Sequence, residues 1–448
     1  MQPITDGVMY VLSFKPFVLL PIIIFILSLI FRLKVSAAIR SALMISIGFS
    51  GIFIVFDYFV KIMHPVIESL ILRTGLHMNV LDTGWPPLSA ITWSSSLAPV
   101  LVLVFIAVNI LMLALRLTKT VNIDIWNYWH VIFASVMVYF ATKSLLISVI
   151  SGVIAFIIVL KLAEWSAPMV NRFSGMNGIC IPHLSGLTYF PFALVINSLM
   201  DRIPGFKNID ANPETIEKKL GLAGEPLSLG FIMGVLLGIG AGYDIKQIGE
   251  LAFGFAAVVF ILPRMCGILG SALIPVSDGM KLFISKNFPV MGKTYIGLDV
   301  AVLFGVPSVV STTLLLTPAT LILAFTLPGI SFIPLGDLTN LLVPVALISV
   351  AVRGNIIRAF IIGVPAVIAN LYIASYLAPF LTGMAKSVNF QITDYNGTFT
   401  SFLDGGNIFR YWILKASSGD PVCLALIPLV ILLLYATWKI TKKINAAI

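Results

Sequence analysis

The sequence predicts an all-α polytopic membrane protein, and three observations carry that reading. Of 448 residues, 59% are hydrophobic and only 10% are charged, against roughly 25% charged in soluble domains, whose water-facing surface needs them. The mean hydropathy is +1.05. The apolar residues come in uncharged runs, at 17–31, 98–115, 144–160 and 421–438, close to the roughly 17–25 residues a helix needs to cross about 30 Å of hydrocarbon. This composition excludes a soluble enzyme and a disordered chain.

Taken in order, the first run follows Lys15 and lacks a small-residue cleavage site, so it reads as a retained helix. Arg32, Lys34 and Arg40 follow it, which puts the start of the chain outside and this loop inside. Lys439, Lys442 and Lys443 after the last run place the C-terminus inside. Such a chain crosses an odd number of times, and eleven spans are expected, with amphipathic or irregular pieces near 64–80, 164–176, 270–290 and 380–410. The net charge of +9 is a cytoplasmic excess of Lys and Arg and not a nucleic-acid surface. Cys180, Cys266 and Cys423 have neither metal nor disulfide spacing. No phosphate-binding loop is present, so the energy source resides on another polypeptide or in an ion gradient. No cofactor, metal or catalytic residue is expected.

The chain repeats itself. Gly84 and Asp124 stand 40 positions apart, as do Gly297 and Asp337, and the offset that relates the pairs carries Asn127 onto Asn340. Residues 32–49 resemble 242–257 in their pattern of small and apolar residues. The first of these loops is basic and the second is balanced by Asp244 and Glu250, as expected if the second half is inserted upside down. Inverted repeats that hold substrate between broken helices are a transporter plan. The expected division is a first repeat at 1–200, a cytoplasmic linker at 201–224, a second repeat at 225–415, and a final helix with its tail at 416–448.

Ionisable groups at membrane depth cost roughly 2.5–3.5 kcal/mol each on insertion scales, so each needs a partner, a cavity or a purpose. Here they gather where Gly and Pro break the helices, as in backbone that lines a cavity. Residues 82–87 (DTGWPP) read as a re-entrant hairpin tip, with Gly297, Leu298 and Asp299 as their counterpart; an ordinary turn is the alternative. Asp299 is placed to accept hydrogen bonds from the hydroxyls of a polyol. Asp124, Asn127 and His130 recur every three residues on one side of a helix. Trp85, Trp93, Trp126 and Trp129 offer indole faces to a sugar or polyol, or form an interfacial belt. His183 follows a Gly/Pro-broken stretch, and its ring can both donate and accept. Glu225 opens a span, where it caps helix amides or touches substrate, capping or structural pairing being favoured. Arg264 and Arg353 lie at span ends, with Asp124 and Asp337 as their natural partners.

These motifs together resemble the membrane-embedded IIC component of the galactitol family in the bacterial sugar phosphotransferase system. The resemblance rests on DTGWPP (82–87), VNIDIWNYWH (121–130), GICIPH (178–183), GEP (224–226), GYDIK (242–246), IGLD (296–299), PLGDL (334–338) and RGN (353–355), in order through almost the whole chain. Val352 stands where relatives can carry His, and 380–410 differs in composition. The resemblance implies two inverted repeats of five spans plus one helix, in a homodimer of the bacterial inner membrane. A core domain would move, elevator fashion, against a V-shaped dimerisation domain. It implies Trp85, Asn127, His130, His183 and Asp299 as substrate contacts, with Gly84, Asp124, Glu225, Gly297 and Asp337 in support. It also implies that a polyol is carried inward and phosphorylated by a cytoplasmic IIB protein, itself charged by IIA. Lys207, Lys218 and Lys219 mark a candidate docking surface for IIB or a solvated linker. The residues alone leave open an ion-coupled polyol or sugar transporter with Asp124 or Asp337 as the ion site.

Overall fold

In hydrocarbon no water can satisfy peptide groups, so a spanning segment must be helical unless its broken backbone is buried in protein. The computed structural model describes residues 16–75, 78–220, 225–287, 294–390 and 397–446, and it contains both cases. Among the described residues, six helices are long and apolar enough to cross alone, from Val35–Arg73 to Pro421–Ala446, and a seventh candidate is the pair Trp85–Ser94 and Ala98–Ala114, bent by 94°. Four shorter apolar stretches, including Leu184–Met200 and Leu338–Ala351, complete the set. The expected N-terminal flank and Gly224 lie outside the described residues.

The helices sort into two groups by what they pack against. In the first, α1 (Pro16–Ile30) and α2 (Val35–Thr74) lie with α10 (Pro226–Ala241) and α11 (Ile245–Asn287), the long α2 running along α11. Their outer faces expose Ile54, Leu72, Phe253 and Leu282, a surface suited to lipid and not to water. The second group holds the bent pair α3 (Trp85–Ser94) and α4 (Ala98–Ala114), then α5 (Ile125–Thr142), α6 (Leu145–Ser174), α7 (Leu184–Leu187) and α8 (Phe190–Met200). From the later half it takes α12 (Pro307–Thr326), α13 (Leu342–Ala351), α14 (Ile356–Ser387) and α15 (Ile408–Ser417), with α16 (Pro421–Ala425) and α17 (Ile427–Ala446) packed alongside. The tryptophan–proline–proline run opens α3, because proline at the first turn sacrifices only amides that would have no partner there anyway.

The all-α expectation is modified at the breaks. Among the described residues five short strands interrupt the helices: β1 (Val80–Asp82), β2 (Thr120–Asn122), β3 (Ile179–Cys180), β4 (Tyr295–Gly297) and β5 (Thr398–Thr400). Extended peptide inside a membrane protein leaves every amide exposed, so these segments pair in parallel with one another. β1 pairs with β5, placing Asp82 opposite Thr400. β4 runs between β2 and β3, placing Gly297 opposite both Asn122 and Cys180. The pairing crosses the chain in both directions. The Thr83 amide donates to Thr400 O at 2.9 Å, and the Leu298 amide donates to Cys180 O at 3.0 Å. Likewise the Val80 amide reaches Ser331 O at 3.2 Å, and the Tyr295 amide reaches Lys119 O at 2.8 Å.

The linker after α8 is docked and not free. Buried Arg358 donates to Asn197 Oδ1 at 2.7 Å, Asp201 Oδ1 at 2.6 Å and Phe206 O at 2.6 Å. The Ile356 amide donates to Ala211 O, and the short helix α9 (Pro213–Leu220) follows.

Glycine is required where the breaks meet. Gly84 has φ +69°, and a Cβ there would sit 2.6 Å from Gly336 O. Gly84→Ala is expected to cost about 1–3 kcal/mol in backbone strain and about 1–3 kcal/mol in overpacking. Gly329→Ala, at φ +81° with nothing within 4 Å, carries only the first cost. Thermal melts in detergent should rank the two in that order, and equal melts would refute the close-approach argument.

Candidate functional site

The helix breaks leave backbone amides pointing inward, and three buried aspartates collect them. Asp82 accepts from the Gly84 and Phe402 amides through Oδ1 (3.2 and 3.0 Å) and from the Gly336 and Asp337 amides through Oδ2 (3.0 and 3.1 Å). Asp337 accepts from the Trp85 amide at 3.0 Å and Asn340 Nδ2 at 2.8 Å through Oδ1. Its Oδ2 takes the Leu403 amide at 3.2 Å and the Ser401 hydroxyl. Asp124 caps α5 at the Trp126 amide and reaches across to the Asp299 amide, both at 3.0 Å. Each half therefore contributes a carboxylate that fastens the break of the other.

This corrects the expected pairing of Asp124 and Asp337 with arginines. Arg264 lies near the middle of α11 and not at the expected span end; it donates to Phe260 O and stacks over the Phe260 ring, while Arg353 is exposed elsewhere. The amides win because they already lie at the break, whereas Arg264 and Arg353 are both exposed.

A fourth aspartate binds a buried cation. Arg410, 1% exposed, directs all five of its donors at one cluster. Nη1 reaches Asp404 Oδ1 (2.7 Å) and Asp404 O (3.1 Å), Nη2 reaches His130 Nδ1 and Ser185 Oγ (both 2.8 Å), and Nε reaches His130 O (3.3 Å). Ser185 Oγ in turn donates to Asp404 Oδ1 at 2.5 Å. A guanidinium only donates, so the network assigns His130 Nδ1 as an acceptor and leaves its ring proton on Nε2. The Gly186 amide donates to His183 Nδ1 at 3.3 Å, which assigns His183 the same tautomer. The two imidazoles lie 4.0 Å apart, centre to centre.

Between the two helix groups these elements enclose a cavity of about 400 Å³, within the usual range of about 300–1,000 Å³ for small-molecule sites. Trp85, His130, His183 and Asp299 line it, with Trp126, Trp129, Ser185, Thr339, Asn340 and Asp404. Phe49, Ile52 and Asp57 of α2 close the opposite side. His183 Nε2 and Asp299 Oδ2 face each other at 3.7 Å, too far for a direct hydrogen bond. Trp85 meets Trp126 edge-on, with ring centres 5.5 Å apart. Among the described residues no Lys or Arg lines this cavity.

Four of the five expected contacts thus meet at one wall. The fifth, Asn127, is fully buried behind it and donates to Asn122 Oδ1 at 3.1 Å. Gly84, Gly297, Asp124 and Asp337 build the breaks that carry the wall. Glu225 precedes α10 without a capping bond from its side chain and stands away from the cavity, so the capping expectation is not met. Ser185, Asp404 and Arg410 went unnoticed in the sequence, although the DGGN run at 404–407 has the Gly-rich, acidic composition of the other breaks. Asp57 was missed as well; a carboxylate within the apolar stretch of α2 was its signal.

The family model for EIIC-GAT, the sugar-specific permease component of the phosphotransferase system (PTS), matches residues 10–395. Over 410 residues the chain is 34% identical to the PTS galactitol-specific EIIC component of Escherichia coli (strain K12), covering 91% of this chain and 90% of that protein. The protein of the same description from Escherichia coli O157:H7 matches to the same extent.

Removing one partner of a buried ion pair leaves an uncompensated charge, at a cost of about 3–5 kcal/mol. Arg410→Leu is therefore expected to lower the melting temperature sharply, and Arg410→Leu combined with Asp404→Leu to recover part of the loss. A double variant no more stable than the single one would contradict the pairing.

Proposed function

As the chain belongs to the EIIC-GAT family of PTS sugar-specific permease components, we propose that its cargo is a neutral alditol, galactitol or a close relative. It is a multi-pass membrane permease component that works with IIB and IIA proteins. The substrate class rests on one observation, the 3.7 Å gap between His183 Nε2 and Asp299 Oδ2 on the cavity wall. A hydroxyl fits that gap by accepting from the imidazole N–H and donating to the carboxylate. The indole faces of Trp85, Trp126 and Trp129 offer apolar surface to the C–H faces of the carbon chain. The absence of a cation among the described lining residues favours a neutral polyol over a sugar acid.

The two halves are read as inverted repeats, in eleven spans with the N-terminus outside and the C-terminus inside, within a homodimer. The reciprocal strand pairing and the exchanged aspartate contacts support the repeat. The position of the cavity between two helix groups supports an elevator motion, in which α12–α15 and the hairpin carry the alditol past α2 and α11. On the cytoplasmic side the alditol hydroxyl displaces the thiolate of a phosphocysteine on IIB at phosphorus, forming the phosphate ester and releasing the hydroxyl proton to water. The charged ester finds no Lys or Arg among the described residues lining the cavity to offset its charge, so it does not return and uptake is irreversible.

Calorimetry on the purified protein tests the substrate reading. Asp299→Asn and His183→Ala are each expected to weaken galactitol binding at least about tenfold, the loss of one hydrogen bond to a charged or buried group, with the fold retained. Wild-type affinity in both variants would sink the site. Asp57→Asn removes an acceptor on the opposite wall and should weaken binding less than Asp299→Asn; a larger effect would move the main contact onto α2.

A further inference from the structure

A second cavity, of about 460 Å³, lies at the other end of the same helix that borders the first. α13 presents Val343 and Pro344 to the transport cavity and Val350 to this cleft, and the chain entering α12 likewise runs from Phe304 in one to Val306, before the helix, and Ser308, in its first turn, in the other. Pro344 and Val350 are six residues apart on this helix, about 9 Å, and no residue lines both cavities, so the two are separate sites. The cleft also touches Asn212, Pro213 and Glu214 of the docked linker and Ile444 of the last helix.

Its chemistry differs from that of the transport cavity. Arg172 and Arg353 both line it, and neither side chain has an ion-pair or hydrogen-bond partner among the described residues. Arg353 is held at φ +56°, a strained conformation for a residue other than glycine. Ser308, 2% exposed, also lines the cleft, at the first turn of the 20-residue α12, and its hydroxyl has no partner among the described residues. Asn212 Oδ1 is a buried acceptor without a donor. Gly354, at φ +82°, stands between them: a Cβ there would lie in ordinary contact, 3.4 Å from Ser308 Oγ and 3.5 Å from Asn212 Oδ1. Buried polar atoms normally find partners, so these point to a ligand.

We infer that this cleft binds a phosphomonoester of a polyhydroxy alcohol, the class of product that the proposed function forms; the inference rests on that reading. The two guanidinium groups and the Ser308 hydroxyl take the phosphate, since Arg suits its oxygens in a fork. Asn212 Oδ1 and the Glu214 carboxylate are acceptors that would repel a bare anion and instead need donors, which the hydroxyls of the same ester supply. That mixture favours the free ester over a phosphorylated loop of a partner protein. The linker face is the one expected in the cytoplasm, where such an ester forms.

The full-length protein in detergent, titrated with sorbitol 6-phosphate, inorganic phosphate and galactitol, tests this. The ester should bind the wild type more tightly than inorganic phosphate does. Arg172→Gln and Arg353→Gln should each weaken ester binding about tenfold or more while leaving galactitol binding unchanged. Unaltered ester affinity in both variants, or inorganic phosphate binding as tightly as the ester, overturns the assignment. So does an ester that fails to bind while phosphorylated IIB binds through the two arginines. Should Arg353→Gln fail to fold, Arg172→Gln and Ser308→Ala provide the same comparison. Loss of galactitol binding in the wild type would instead count against the alditol reading of the first cavity.

Discussion

The architecture depends on one constraint: a backbone amide inside a membrane protein must find an acceptor within the protein. A continuous helix meets this by itself, but a transport site requires backbone that is not helical. The chain meets the conflict with carboxylates. Asp82 and Asp337 each accept four hydrogen bonds, half of the eight from backbone amides of the other half of the chain, and Asp124 holds the amide of Asp299. Short parallel strands satisfy what remains. Charges that would be costly in hydrocarbon thereby become the fasteners of the broken helices.

Those fasteners are also why the cavity wall has its composition. Once Asp82, Asp124 and Asp337 are occupied by backbone, Asp299 retains an oxygen for the cavity, because its other oxygen caps the Ala301 amide at 2.8 Å. The Arg410–Asp404 pair plays the equivalent part for the histidines. By engaging His130 Nδ1 it turns an N–H towards the cavity side, and by using all five donors on the cluster it keeps a cation from presenting itself to the ligand. A neutral polyol site and a basic phosphate cleft can then stand at opposite ends of α13 with distinct chemistry.

The membrane class, the breaks and most of the wall were legible in the chain. Trp85, His130, His183 and Asp299 announced themselves as polar or aromatic residues beside Gly and Pro, where an apolar span should have neither. Asn127 shared the helical side of His130, but one turn of helix carried it behind the wall, and periodicity does not resolve depth. Asp404 and Arg410 escaped because 380–410 was read by composition as an irregular stretch, and no local pattern says that an arginine will turn inward to meet an aspartate six residues earlier. Arg264 and Arg353 illustrate the converse: hydropathy suggests long side chains at span ends that could reach the acids, but nearer amides take those acids, and Arg264 lies near the middle of α11.

What the sequence by itself determined was therefore the solvent, the helical content, the places where helices break and the residue types available there, since these follow from hydropathy and from the fixed conformational demands of Gly and Pro. Only the tertiary structure decided which carboxylate bonds backbone and which faces the cavity, and that the halves fasten each other. Such assignments depend on distances of about 3 Å between residues that can lie more than two hundred positions apart. Hydrogen bonds fall off over fractions of an ångström, a scale that spacing along the chain does not encode.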